Sequence, residues 1–251
     1  VVETGATAEI FAAPRAAYTR ALLDAVPLPI VDPGWIERVS VDEAEPQGGT
    51  GRQGMKIAGC TALVTGANRG IGTAYVAALL AQGARKVYAT ARRPDALAHL
   101  AKAHPGKVEA LALDITDAAA VAAAAKRCGD VSLLINNAGI NHVRGLLAAP
   151  DLAAARAEME TNYFGTLAMC RAFAPVLKAN GGGAIINMLS ILSRVSLPLM
   201  GSLCASKAAG LSLTQGVRAE LAGQGTQVIA VMPGAVDTDM MRDYPPPKMP
   251  P

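Results

Sequence analysis

The order of apolar and polar positions from Met55 onward predicts a repeating strand and helix pattern. Short runs rich in Val, Ile and Leu alternate with alanine-rich amphipathic stretches. Continuous apolar runs, as opposed to alternating ones, indicate strands that are covered on both faces of a sheet. The predicted strands are 60–65, 86–91, 107–113, 131–136, 183–189 and 226–232.

The amphipathic stretches between these strands predict helices. The predicted helices cover 70–82, 94–104, 117–127, 152–179 and 204–222. Strands and helices that alternate in this way build right-handed crossovers between parallel strands. The predicted fold class is therefore α/β, with a Rossmann-like, doubly wound parallel sheet.

Composition separates the beginning of the chain from the rest. Residues 44–54 read AEPQGGTGRQG, a stretch rich in glycine and polar residues that is typical of a flexible linker. We therefore expect an N-terminal extension at 1–43, a linker at 44–54 and a Rossmann-fold domain at 55–251.

Charge and cysteine content exclude several classes of protein. The net charge of +3 is small and no block of like charges concentrates it, so we expect no nucleic-acid partner. No targeting segment opens the chain, and no apolar run reaches the roughly 18 residues of a membrane helix, so we expect a cytoplasmic protein. The four cysteines are widely spaced and form no C-x-x-C pair, which favours buried thiols over disulfides or a metal site.

The first strand leads into a glycine-rich turn. CTALVT is followed by TGANRGIG, so Gly66, Gly70 and Gly72 lie between a strand and a helix. Glycines let the backbone approach a pyrophosphate, and the helix N-terminus favours its negative charge. An ordinary tight turn would also use glycines, so the motif becomes informative only together with the later segments of the chain.

The end of the second strand predicts which dinucleotide binds. Proteins that bind the unphosphorylated form commonly carry an acidic side chain here for the ribose hydroxyls. This chain has Ala91 followed by Arg92 and Arg93, with Arg69 in the glycine turn. Arginines can clamp a 2′-phosphate that a carboxylate would repel, so we expect NADP(H), with NAD(H) less favoured. The alternative is that one or both arginines simply point into solvent.

Two later segments continue the predicted cofactor site. LALDIT ends the third strand with Asp114 and Ile115, a suitable edge for adenine. NNAG follows the fourth strand at 136–139. Two adjacent asparagines could merely cap a turn. The glycine turn upstream favours a role in the cofactor wall.

These motifs and three others resemble the short-chain dehydrogenase/reductase family over about 57–240. TGANRGIG resembles its glycine motif, NNAG its fourth-strand motif, ETNYFG its active-site asparagine segment, INMLS its catalytic-serine segment and MPGAVDTDM its nicotinamide segment. The resemblance implies a set of cofactor-binding residues: Gly66, Asn68, Arg69, Gly70, Ile71, Gly72, Arg92, Arg93, Asp114, Ile115, Asn137, Ala138, Gly139, Lys207, Pro233, Gly234, Val236 and Thr238.

The resemblance also implies catalytic roles. Ser190 would hold the oxygen of a carbonyl or alcohol, and Lys207 would bind the nicotinamide ribose. Asn162 would hold a water that relays protons from Lys207. Where the family has Y-x-x-x-K, however, this chain reads LCASK, so Leu203 occupies the position of the catalytic tyrosine.

Leu203 can neither donate nor accept a proton. General acid–base catalysis contributes typically about 10²–10⁴-fold, so we expect cofactor binding to persist and turnover to be impaired. Tyr163 should face the opposite way, and Ser202 and Cys204 point about 100° away from position 203 on a helix. A water held by the predicted catalytic serine and lysine is the best remaining substitute.

The two ends of the chain carry further resemblances. Residues 1–30 resemble the tail that follows the ATPase core of oligopeptide-type ABC transporter subunits, with the pieces E-x-G, E-I-F-x-x-P and Y-T-R-A-L-L. The chain contains no G-x-x-x-x-G-K-[ST] motif, so we expect no P-loop binding of ATP phosphates. Met55 resembles the ordinary start of a reductase, which favours a fused or read-through product of neighbouring genes over a regulatory tail. The chain ends at PPPKMPP, where the family continues with a helix and a strand. This predicts a C-terminally truncated sheet with one uncovered edge.

The sequence supports three hypotheses for function. The first is an NADP-dependent oxidoreductase that acts on a small-molecule carbonyl or secondary alcohol. The second is a dinucleotide-binding protein without turnover, and the third is a fused or truncated gene product. The family resemblance also implies a homodimer or homotetramer formed through the helices 152–179 and 204–222.

Overall fold

The computed structural model describes residues 55–242 and 248–250. In this range a six-stranded sheet has the strand order β3-β2-β1-β4-β5-β6, and all of its pairings are parallel. Every predicted strand is confirmed, with its ends displaced by two residues or fewer. The strands are β1 Thr61–Val64, β2 Lys86–Ala91, β3 Val108–Ala112, β4 Leu133–Asn136, β5 Gly183–Met188 and β6 Thr226–Val231.

The predicted helices are present, with differences at their ends. Short 3₁₀ turns occupy Pro94–Leu97, Ile191–Ser193, Pro198–Met200, Ala222–Gln224 and Asp239–Met241, and a π-helical segment occupies Glu160–Gly165. The α-helices are α1 Gly70–Ala81, α2 Ala98–Ala103, α3 Ala118–Arg127, α4 Ala153–Met159, α5 Thr166–Ala179 and α6 Gly201–Leu221.

Alternate residues of the strands enter two different core layers. In β1, Ala62 and Val64 pack in the layer that includes α1 and α2, whereas Leu63 packs in the layer that includes α3, α5 and α6. Phe173 of α5 is fully buried in this second layer. Helices therefore cover both faces of the sheet, which confirms the doubly wound α/β fold.

The strand order reverses between β1 and β4, which pair directly with each other. The connections that leave these two strands go to opposite sides, so a crevice opens at their carboxyl ends. The glycine turn follows β1 and the NNAG segment follows β4. The topology thus brings the two predicted cofactor motifs to the same crevice.

The predicted helix 152–179 contains a π-helical segment that sequence reasoning missed. At Gly165 an added Cβ would lie 2.8 Å from the side chain of Ile115, so a close approach occurs here. The hydroxyl of Thr166 donates to the Asn162 carbonyl at 2.9 Å. This bond satisfies a backbone acceptor where the turn widens, and π segments of this kind are frequent at functional sites.

Two other helices begin differently from the prediction. The helix predicted at 204–222 begins three residues earlier at Gly201, after the 3₁₀ turn that starts at Pro198. Leu203 therefore lies in its first turn. The helix predicted at 94–104 starts as a 3₁₀ turn, because Pro94 fits the first position and the chain regains α geometry only at Ala98.

Several predictions concern residues outside the described part of the chain. The N-terminal extension, the linker and the transporter-like segment lie within 1–54, which is not described. None of the described helices combines the length and hydropathy that crossing a bilayer requires. Within the described residues β6 forms one edge of the sheet, where Ile229 is 42% exposed.

Candidate active site

A cavity of about 910 Å³ opens at the carboxyl ends of the strands. Its lining comes from the glycine turn, the ends of β2 and β3, the segments after β4, β5 and β6, and one face of α6. Every residue of the predicted cofactor set lines this cavity, and so do Ser190 and Leu203. Asn162 does not.

The glycine turn adopts a backbone that side chains would obstruct. Gly66 and Gly70 have φ values of +64° and +52°. A Cβ on Gly72 would lie 2.2 Å from the Gly66 carbonyl oxygen, and a Cβ on Gly70 would lie 2.9 Å from Thr238. No described side chain caps the start of α1, so its first N–H groups are free to donate hydrogen bonds to an anion such as a pyrophosphate.

The NNAG segment holds the glycine turn in place. The Asn137 side-chain amide donates to the backbone carbonyls of Thr65 and Gly66, at 2.9 and 3.2 Å. The Thr65 hydroxyl in turn accepts from the N–H groups of Asn137 and Ala138, both at 2.9 Å. Asn137 thus fixes the turn and also lines the cavity. The role of Thr65 was missed, because nothing in the motif spacing distinguishes it from an ordinary strand residue.

Positive charge gathers where β2 ends. The side chains of Arg92 and Arg93 are exposed and line the cavity, and neither forms an ion pair within the described residues. Asp114 faces them from the end of β3. The backbone N–H and hydroxyl of Thr116 donate to Asp114 at 3.0 and 2.7 Å, and these bonds, with the nearby Arg92, hold the pKa of Asp114 below its usual range.

Arg69 reaches from the glycine turn to the segment after β6. Its guanidinium lies 3.7 Å from the carboxylate of Asp239, which also pairs with Arg242. Both Arg69 and Asp239 are substantially exposed, at 63% and 47% of their side chains. Exposed ion pairs are weak, so Arg69 can exchange this partner for another anion at little cost.

The other end of the cavity lies between β5 and α6. Ser190 follows β5, and its Oγ accepts from the Leu192 N–H at 3.2 Å. The hydroxyl hydrogen of Ser190 therefore remains available to a ligand. Leu203 and Lys207 are four residues apart in α6 and lie on the same helix face, and both line the cavity with Ser190.

Lys207 is a partly buried cation without a described carboxylate partner. Its Nζ donates to the Met188 carbonyl at 2.9 Å. Burial disfavours the charged form and lowers the pKa of Lys207 to about 8. The lysine therefore changes protonation much closer to neutral pH than an exposed lysine does.

Asn162 lies behind the cavity wall and connects two elements of the site. Its amide exchanges two hydrogen bonds with the backbone of Ile140, at 2.9 and 3.0 Å. Its Nδ2 also donates to the Ser206 hydroxyl at 3.0 Å, and Ser206 donates to the Leu203 carbonyl at 2.8 Å. The π segment thereby joins the loop after β4 to the first turn of α6.

Gly139 places no side chain between the asparagine and the lysine. A Cβ at this position would lie 3.1 Å from Asn162 Oδ1 and 3.6 Å from Lys207 Nζ. The first of these distances is tighter than an ordinary Cβ contact, so a larger residue here would press on Asn162. Glycine therefore lets both polar atoms lie close to this stretch of backbone.

Comparison with known proteins assigns the family. The chain matches the short chain dehydrogenase family model over residues 60–248. The chain belongs to the short-chain dehydrogenase family. It is 39% identical to a sorbitol dehydrogenase of Cereibacter sphaeroides, over 73% of this chain and 73% of that protein. It is 38% identical to a galactitol 2-dehydrogenase (L-tagatose-forming) of the same species, over 76% of this chain and 78% of that protein.

A solved structure agrees with this assignment. The chain is 56% identical to a short chain dehydrogenase from Burkholderia cenocepacia J2315 whose crystal structure was determined in complex with NADP. The two superpose with a TM-score of 0.75, over 78% of this chain and 81% of that one. The Rossmann-like fold predicted from the sequence is thus the fold of a short-chain dehydrogenase.

Leu203, which the family resemblance aligns with the tyrosine of the Y-x-x-x-K pattern, belongs to the apolar part of the cavity wall. Leu203 is 6% exposed and packs with Met200, Cys204 and Leu192. Ser202 and Cys204 do not line the cavity. Tyr163 packs against the second core layer instead. Among the described lining residues, none places a phenol near position 203.

Two features of this end were missed by sequence reasoning. Ser206 is completely buried and connects Asn162 to α6, yet the ASK sequence alone assigns it no partner. Asn141, Leu197 and Met200 line the cavity from loops, where no periodic pattern marks a position as inward-facing. Their contribution depends entirely on the path of the backbone.

Proposed function

We propose that the chain is an NADP(H)-dependent oxidoreductase that acts on a carbonyl or secondary alcohol, with turnover limited by Leu203. One observation carries the proposal. The glycine turn, Ser190 and Lys207 line the same cavity. A dinucleotide bound on the turn can therefore reach the two side chains that would handle the substrate oxygen.

The preference for the phosphorylated cofactor rests on charge. β2 ends at Ala91, without the acidic side chain that ribose hydroxyls would need. Arg69, Arg92 and Arg93 line the adjoining wall. The solved structure of the 56% identical relative in complex with NADP supports the same choice.

The described residues fit such a cofactor from end to end. Gly66, Gly70 and the start of α1 would hold the pyrophosphate, because their backbone admits close approach. Asp114 and Ile115 would border the adenine, and the segment 233–238 would border the nicotinamide. When bound, NADPH supplies the hydride that the carbonyl carbon receives.

The chain itself handles the oxygen and the proton. Ser190 donates its free hydroxyl hydrogen to the substrate oxygen. With Leu203 in place of a phenol, a water between Ser190 and Lys207 gives the proton. Lys207 restores it through a second water, which Asn162 would hold. A pKa of about 8 suits this exchange near neutral pH.

The replacement of the phenol makes the proposed enzyme slow. General acid–base catalysis supplies about 10²–10⁴-fold, equivalent to about 3–5 kcal/mol of barrier. A loosely held water recovers part of this at best, because it lacks the fixed position of a side chain. We therefore expect tight cofactor binding together with low kcat.

A second candidate function is a dinucleotide-binding protein without turnover. The packing of Leu203 favours it, because the leucine belongs to an apolar cluster with Met200 and Leu192. Such a protein would act as a sensor or as an inactive partner of an active homologue. Both candidates would bind the dinucleotide in the same way. They differ only in whether the region of Ser190, Leu203 and Lys207 supports turnover.

The family assignment also supports a proposal on assembly and location. Phe164 and Leu152 are exposed on the helical stretch 152–179, at 50% and 62%. We expect that stretch and α6 to form a homodimer or homotetramer, which sedimentation velocity would test. The four free, buried cysteines suit a reducing, cytoplasmic environment.

Cofactor titration followed by turnover tests the proposal. NADPH binding, measured by its fluorescence, should exceed NADH binding by at least about tenfold, since the 2′-phosphate adds charge-assisted hydrogen bonds. Slow but measurable carbonyl reduction would support the enzyme. Binding without any turnover would support the second candidate, and failure to bind either cofactor would overturn both.

A further inference from the structure

We propose that the substrate of this site carries its carbonyl or secondary alcohol on a hydrocarbon group rather than on a polyol chain. The inference rests on the proposed function and concerns the same cavity. Its basis is the way charged and apolar residues are divided between the two ends of that cavity.

The charged lining residues gather away from the reaction end. Arg92, Arg93 and Asp114 come from the ends of β2 and β3, and Arg69 and Asp239 form the ion pair near the glycine turn. In the described lining, the charged side chain on the α6 side is that of Lys207. A substrate beside Lys207 therefore meets no carboxylate or guanidinium in this wall.

The wall beside Lys207 is made of hydrocarbon and a thioether. We name Leu192, Leu197, Met200 and Leu203 the apolar end; all four line the cavity. Met200 and Leu203 are 1% and 6% exposed and pack with Leu192 in one cluster. The backbone N–H of Leu197 donates to the Cys204 sulfur at 3.3 Å, which holds this segment against α6. The apolar end is therefore a packed surface.

Asn141, one of the polar side chains that line this part of the cavity, already has a partner on each of its polar atoms. Asn141 accepts from the Val143 N–H at 2.9 Å and donates to the Met200 sulfur at 3.6 Å. The hydroxyls of a polyol would lose their water here without gaining equivalent partners. Each such unsatisfied group should lower the affinity about 5–150-fold, which weighs against a polyol.

Further apolar side chains lie beside the apolar end but outside the cavity lining. A Cβ on Gly201 would lie 2.5 Å from Leu146 Cγ, so the loop carrying Leu146 lies directly on the start of α6. The neighbouring Leu147 is fully exposed, and Leu199 is 71% exposed. Since none of these three leucines lines the cavity, the hydrocarbon group of the substrate would contact the apolar end itself.

This inference separates the chain from relatives that it resembles in sequence. The two relatives from Cereibacter sphaeroides are dehydrogenases of sorbitol and galactitol, which are both polyols. A hydrocarbon wall discriminates against one added hydroxyl only modestly, by about 10²-fold, but a polyol would bring several hydroxyls to it. Leu203 contributes to that hydrocarbon surface, so the substitution that removes the phenol also enlarges the apolar end.

The affinities of a series of 2-ketones of increasing chain length test the inference without relying on turnover. 2-Butanone, 2-hexanone and 2-octanone are titrated into the full chain saturated with NADPH, with NADPH fluorescence as the readout. Burial of a methylene is worth about 0.8 kcal/mol, so affinity should rise about fourfold per carbon. Erythrulose, the polyhydroxylated four-carbon ketone, should bind more weakly than 2-butanone.

Two variants test whether the rise in ketone affinity with chain length arises at the apolar end. Leu197→Asn should lower the affinity for 2-octanone at least about threefold and leave NADPH affinity unchanged. Ile229→Thr removes an exposed apolar side chain of the edge strand β6, which does not line the cavity, and should change neither affinity. Equal affinities for the three ketones, or equal affinities for erythrulose and 2-butanone, would overturn the inference. NADPH binding would in that case still support the proposed function. Failure of NADPH to bind would overturn the proposed function and this inference with it.

Discussion

The two ends of the cavity differ in what a single substitution can remove. At the cofactor end the ligand would be held by backbone geometry, helix N–H groups and several arginines from different segments. At the reaction end the proton would come from one hydroxyl group, and Leu203 has none. We therefore expect dinucleotide binding and proton transfer to be separable in this fold.

The physical reason lies in how many atoms share each task. Anion binding at the turn is distributed over N–H groups and guanidinium groups, so the loss of one leaves the others in place. Proton transfer in the family pattern depends on a phenol at a single position. We therefore expect substitutions at the cofactor end to lower NADPH affinity. Substitutions at the reaction end should instead change stability or kcat.

The largest effect at the cofactor end is expected from Gly72→Ala. The new Cβ would lie 2.2 Å from the Gly66 carbonyl oxygen and 2.8 Å from Asn137 Nδ2, so the turn must move. Two or more charge-assisted hydrogen bonds of about 1.5–3 kcal/mol each would be lost, which lowers NADPH affinity about 100-fold or more. Fluorescence titration measures this loss.

Gly216→Ala is the control for that change. A Cβ there has no heavy atom within 4 Å, and the residue lies within α6. The helix should gain about 1 kcal/mol of unfolding free energy with NADPH affinity unchanged. Equal NADPH affinity in both variants would contradict a phosphate site at the glycine turn.

A smaller effect is expected from Arg92→Ala. Loss of one exposed arginine beside the 2′-phosphate should weaken NADPH binding about tenfold and leave NADH binding nearly unchanged. Arg85→Ala removes the same charge just before β2 begins, where Arg85 pairs with Asp130 at 3.3 Å. The ratio of NADPH to NADH affinity should fall only in the first variant, and a fall in both would indicate a general charge effect.

At the reaction end, Ser206→Ala is expected to lower the stability of the protein. It removes the hydroxyl that bridges Asn162 and the Leu203 carbonyl, at a cost of about 1–3 kcal/mol in unfolding free energy. Ser202→Ala removes a buried hydroxyl that has no described partner and should be neutral or stabilising. Urea denaturation of both variants makes the comparison, and equal losses would argue against the bridge.

A further expected effect concerns the pH dependence of stability. The pKa of Lys207 is lowered by burial from 10.5 to about 8, so between these values the unfolded chain binds more protons than the folded chain. The unfolding free energy of the parent, relative to Lys207→Met, should be flat below pH about 8 and rise from there toward pH about 10.5. A constant difference across this range would contradict the burial of the charge.

Much of the fold can be predicted from the sequence because its determinants are local. Buried parallel strands appear as continuous apolar runs, and all six were located within two residues. The π segment at Glu160–Gly165 could not be predicted in this way. Its Gly165 closely approaches Ile115, which is distant in sequence, so the local pattern of residues does not reveal this contact.

The site residues likewise fall into some that could be located from the sequence and others that could not. Gly66, Gly70 and Gly72 could be located from sequence because a strand, a turn and a helix succeed each other directly. The bridge from Asn162 through Ser206 joins two helical segments 44 residues apart. The apolar end is likewise assembled from loop residues and α6, so it emerges only from their packing.

The most direct test of the account compares Leu203→Tyr with Leu203→Phe. Both variants add an aromatic ring on the face of α6 that lines the cavity, and only the first adds a hydroxyl. At saturating NADPH with a ketone substrate, kcat of Leu203→Tyr should exceed that of the parent by at least about 10²-fold, and Leu203→Phe should show no gain. If Leu203→Tyr binds NADPH as the parent does and its kcat does not rise, Ser190 and Lys207 are not arranged for this chemistry and the account is wrong.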